Sequence, residues 1–113
     1  MNSFMDKDSL QRILYDLRLA SKIEESSRLA HLIQSSLVRA LKEEYPDIVD
    51  LGVKQAPFYV LIGAQMPSVL VEISFLSHPE EEARLARGDY RERIAQGLLE
   101  GIQRYRLEPW REQ

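Results

Sequence analysis

Apolar positions recur along this chain with two different periods. Leu10, Ile13, Leu14 and Leu17 repeat at the spacing of one helical face, and Asp8 with Gln11 three residues on resembles a capping start. A first helix is predicted over residues 8 to 20. From about Glu24 to Glu44, a longer helix is expected to present Ile23, Ala30, Ile33, Leu37, Ala40 and Leu41 on one side, ending near Tyr45-Pro46, where proline disfavours helical geometry in the residue before it. A loop follows from Asp47 to Pro57. The short aromatic and β-branched run of residues 58 to 62 then reads as a strand, and Ser68 to Ile73 as a second, buried one. Five intervening residues are too few for a parallel crossover, so a direct pairing would be antiparallel. Pro79 sits at a first helical position, with Glu80, Glu81 and Glu82 near the positive end of the helix dipole. A last helix is predicted from Asp89, with Glu92 three residues on, burying Ile94, Ala95, Leu98, Ile102 and Tyr105. Gly97 and Gly101, four apart, permit close approach to a neighbour.

Glu72 interrupts this pattern. It closes the apolar run Pro67-Ser68-Val69-Leu70-Val71-Glu72-Ile73, and a buried carboxylate costs several kcal/mol unless a cation, a metal or a reacting proton offsets it. It is therefore the first candidate for chemistry. The competing reading places it at a sheet edge, in solvent or against an arginine.

The stretches Asp50-Leu51-Gly52-Val53-Lys54-Gln55-Ala56-Pro57-Phe58-Tyr59-Val60-Leu61 and Met66-Pro67-Ser68-Val69-Leu70-Val71-Glu72-Ile73-Ser74-Phe75-Leu76-Ser77-His78-Pro79-Glu80-Glu81-Glu82 closely resemble the zinc-dependent N-acetylmuramoyl-L-alanine amidases of bacterial cell walls, of the Amidase_3 type. The likeness extends more weakly from about Ser9, through Glu25-Ser26-Ser27-Arg28-Leu29-Ala30, to about Tyr105. It covers the C-terminal half of that family's catalytic domain. The resemblance implies an α/β fold, part of a three-layer α/β/α domain with two to three strands and flanking helices. It also implies hydrolysis of the amide between N-acetylmuramic acid and the L-alanine of the stem peptide, in the periplasm or cell envelope. Glu72 matches the family's general base and acid, and the loop Gly52, Val53, Lys54 and Gln55 would border the substrate groove. For Lys54, a solvated surface charge is the equal alternative. The family's zinc is held by two His and one Glu in the domain's first half, and those motifs do not occur here, so no metal ligand is assigned. The chain is accordingly expected to be a fragment, inactive by itself, whose start and export signal lie upstream. Residues 8 to 20 either pack or resemble the exit of an inserted helix that covers the groove in some division amidases.

Composition adds limits. The chain of 113 residues has room for one small, partial domain, with residues 1 to 8 and 107 to 113, including Trp110, expected to be flexible ends. With 44% hydrophobic and 29% charged residues it reads as globular. Fifteen basic against 18 acidic residues, net −3, leave no basic face for nucleic acid, and no apolar run reaches a membrane span. No cysteine is present, so disulfides and thiolate metal sites are excluded. Of the two histidines, His31 is expected on a helix surface. His78 stands where the family typically has Asn, a better helix cap. A non-catalytic interaction module, self-associating through an exposed sheet edge, is the reading from another class.

Overall fold

The computed structural model describes residues 6–55, 61, 63–73 and 79–108. Three helices carry the fold: α1 (Lys7–Lys42), α2 (Pro79–Leu85) and α3 (Gly88–Leu107). Neither strand nor sheet occurs among the described residues, which corrects the expected α/β class and leaves self-association through a sheet edge without support. The physical reason lies in the backbone. An apolar run becomes a strand only when a neighbouring strand takes its donors and acceptors. Residues 58–60 and 62 of the first expected strand lie outside the described residues. In the second, the Ser68 amide instead donates to the Ser26 hydroxyl of α1 at 2.9 Å.

The two helices expected before Pro46 are one. Asp6 caps it by accepting the Ser9 amide at 2.7 Å, and neither Gly nor Pro interrupts residues 7 to 42. The apparent break was a change of face. Leu10 and Leu37 lie 27 residues apart, about seven and a half turns, so their stripes point in opposite directions on one continuous helix. The Ile33, Leu37 and Leu41 stripe is buried against α3. Leu10, Ile13, Leu14 and Leu17 remain exposed.

Helix α3 runs antiparallel to the second half of α1. Leu37, Leu41, Tyr90 and Ile94 form the core, with Tyr45, Ile48, Val71, Leu85 and Leu98 packed around it. The Tyr45 and Tyr90 rings meet edge to face, 5.1 Å between centroids. Gly97 and Gly101 are buried, as their spacing suggested, and it is the lack of a side chain there that lets α3 reach the α1 backbone. Ala95 and Ile102, expected inside, are exposed. The helix starts one residue before Asp89, whose carboxylate binds the Arg87 guanidinium at 2.9 Å. Pro79 does open α2, with three glutamates in its first turn.

The far end of α3 is clasped to α1. Tyr105 donates its hydroxyl to Glu25 Oε2 at 2.6 Å, and the Arg28 guanidinium lies 4.2 Å from the Tyr105 ring centre while bonding Glu25 and the Glu108 carbonyl. The Tyr105 hydrogen bond holds the Glu25 carboxyl below its ordinary value of 4.5, against burial and with help from Arg28. A depressed folded value means that the stabilisation is complete above the unfolded one and is lost as pH falls through the folded one. Tyr105→Phe is therefore expected to cost about 1 kcal/mol at neutral pH, a difference that shrinks in acid. Urea unfolding of both proteins from pH 7 down to pH 3 checks this.

Candidate functional site

The loop after α1 and the segment ending at Ile73 enclose, with α2, a cleft of about 320 Å³. Its floor is apolar, with Leu37, Leu41, Tyr90 and Ile94, and its rim carries Asp47, Glu72, Glu80, Glu81 and Arg84. Glu72 is exposed at this cleft rather than buried in a strand, since without a ladder the run 67–73 lies over α1 with its end open to solvent. Val69 and Val71 are half-buried, while Leu70 and Ile73 are 45% and 44% exposed. The carboxylate thus escapes the desolvation that the sequence pattern suggested.

Arg84 is fastened at the rim. Its Nη2 donates to Asp47 Oδ2 at 2.6 Å and its guanidinium lies 4.9 Å from the Tyr45 ring centre. The Arg84 hydrogen bond holds Asp47 below the usual carboxylate range and raises the arginine in turn. Neither residue was singled out from sequence. The two are 37 positions apart, and only the packing of α2 beside the loop joins them.

The four residues expected to border the groove lie together on the loop. Gly52 adopts a positive φ of 79°, Val53 is half-buried, and Lys54 and Gln55 are exposed. Asp50 shapes the turn: its Oδ1 accepts the Gly52 amide and Gln34 Nε2, each at 2.8 Å. The Gln34 and Gly52 hydrogen bonds hold the Asp50 carboxyl below its ordinary range.

A catalytic zinc requires about three protein ligands. Among the described residues, no group of three or more His, Cys, Asp or Glu is placed to hold a metal. His31 is exposed on α1, and His78 lies outside the described residues. The zinc expected from the resemblance therefore does not fit the residues described.

The family model described as Amidase_3, N-acetylmuramoyl-L-alanine amidase, matches residues 3–104. The chain belongs to the Amidase_3 family. It is 39% identical over 82 residues to the uncharacterized protein YqiI of Bacillus subtilis, covering 73% of this chain and 37% of that protein. Against the N-acetylmuramoyl-L-alanine amidase AmiA of Escherichia coli it is 37% identical over 101 residues, 88% of this chain and 33% of the amidase. Against the N-acetylmuramoyl-L-alanine amidase AmiC of Neisseria meningitidis the identity is 37% over 92 residues, 81% of this chain and 21% of that protein. This Amidase_3 chain thus spans about a third or less of the length of these relatives. No solved structure matches it.

Proposed function

We propose that this chain is the C-terminal part of a peptidoglycan amidase acting on the bond between N-acetylmuramic acid and the L-alanine of the stem peptide, in the periplasm or cell envelope. Family membership over residues 3–104, with Glu72 at the mouth of a cleft, is the observation that carries the reading. Glu72 is assigned proton transfer: its carboxylate takes a proton from the attacking water and returns it to the departing amine of L-alanine. An exposed carboxylate at a cleft rim can meet both water and ligand. The loop from Gly52 to Gln55 is assigned contact with the glycopeptide, whose amide and carboxylate groups suit the Lys54 ammonium and the Gln55 amide. Among the described residues no helix is long and apolar enough to cross a membrane.

Incubating the purified protein with peptidoglycan, with and without added zinc, and following newly freed L-alanine amino groups tests this reading. Release supports it; a chain that shows neither release nor muropeptide binding refutes it. The absence of a ligand set among the described residues favours a second reading, a non-catalytic module that binds without cleaving. Binding without release would select that one.

A further inference from the structure

Asp50 occupies a position that the functional reading above does not use. One of its carboxylate oxygens receives two hydrogen bonds of 2.8 Å, one from the Gln34 side chain of α1 and one from the Gly52 backbone amide. A single atom therefore ties the turn to a rigid helix. Gln34 lines the same cleft as Glu72. Apolar packing does little to orient the turn: Val49 and Leu51, on either side of Asp50, are 72% and 65% exposed. Gly52 turns the chain through a positive φ, so its orientation determines where Val53, Lys54 and Gln55 point. Both bonds end on a charged acceptor, which makes them stronger than neutral ones, and the charge of nearby Lys42 favours the ionised state of Asp50.

We infer that Asp50, oriented by Gln34, is a positioning residue that fixes the course of Gly52 to Gln55 where the loop leaves the cleft at Leu51, and thereby determines affinity for the muropeptide. The inference rests on the proposed amidase reading for its ligand, whereas the latch itself does not. Loss of Asp50 leaves the Gly52 amide without its acceptor and frees Gly52 to Gln55 to sample other orientations. Binding then carries the entropy of ordering the loop again.

The test uses the whole chain and N-acetylmuramoyl-L-alanyl-D-isoglutamine as probe, with affinity from calorimetry and amide exchange at Gly52 from NMR. Asp50→Ala is expected to weaken binding about tenfold and to speed Gly52 exchange, whereas Asp50→Asn, which keeps an oxygen acceptor, stays within about threefold. Gln34→Ala should fall between them. Equal affinities for wild type and Asp50→Ala would overturn the inference, as would equal losses in Asp50→Ala and Asp50→Asn. Unchanged Gly52 exchange in Asp50→Ala would overturn the latch whether or not the probe binds. A wild-type chain that fails to bind the probe, with Gly52 exchange still accelerated by Asp50→Ala, overturns the amidase reading while leaving the latch standing.

Discussion

Where the chain releases L-alanine amino groups from peptidoglycan, Glu72→Gln is expected to reduce that release by at least about 100-fold, because the amide cannot accept and return the proton that hydrolysis moves. The substitution is nearly isosteric and Glu72 is exposed, so folding and probe affinity should change little. That separation is what distinguishes a proton-transfer group from a packing one. Comparing initial rates, affinities and unfolding midpoints for the two proteins makes it measurable. Turnover surviving at the wild-type level would remove Glu72 from the chemistry, and equal losses of turnover and stability would make it structural.

Gly101→Ala should have the largest effect on folding. A Cβ built there would stand 2.5 Å from the Ile33 Cα, 2.9 Å from its Cγ1 and 3.0 Å from its amide nitrogen. A side-chain tip can rotate away; a helix backbone cannot. The helices must part, and overpacking of this kind typically costs about 1–3 kcal/mol. Alanine's better helix propensity returns about 1 kcal/mol, so a net loss of about 2 kcal/mol is expected, since parting the helices also loosens Leu37 and Ile94. For a small domain this corresponds to a drop in midpoint on the order of 10 °C. Gly88→Ala is the internal control. Its added Cβ meets nothing closer than the end of the Arg91 side chain at 3.9 Å, and the midpoint should hold or rise. A Gly101→Ala protein as stable as wild type would show that α3 does not lie on α1 in this register.

Much of the helical framework is legible in the sequence. The glycine pair, the proline opening α2 and the Ile33, Leu37 and Leu41 stripe all obey local rules, because a helix makes its hydrogen bonds within itself. The N-terminal half of α1 was misread for an equally local reason. A stripe that swaps sides resembles two helices, yet a continuous run of good helix formers has no cause to break.

The strand expected at Ser68 to Ile73 does not form. Its Val, Leu and Ile content describes a surface suited to a sheet, but β-structure depends on partners far away in the chain, and none of the described residues provides one.

The cleft shows the same division. Glu72 and the Gly52 to Gln55 loop could be picked out from motif resemblance, and of these only Glu72 lines the cleft, which the loop reaches through Asp47, Ile48, Val49 and Leu51. Asp47, Arg84 and Gln34 could not, since each becomes informative only through a neighbour 16 or 37 positions away, and Asp50, with a local partner in Gly52, gains its tie to α1 only through Gln34. By itself the sequence determined the family and the buried Ile33, Leu37 and Leu41 face. Tertiary structure alone decided that Glu72 stands in solvent, that Arg84 is held by Asp47, and that one carboxylate joins loop to helix. The reason is physical: local periodicity acts over a few turns, whereas burial and side-chain pairing are set by which distant segments come to share a surface.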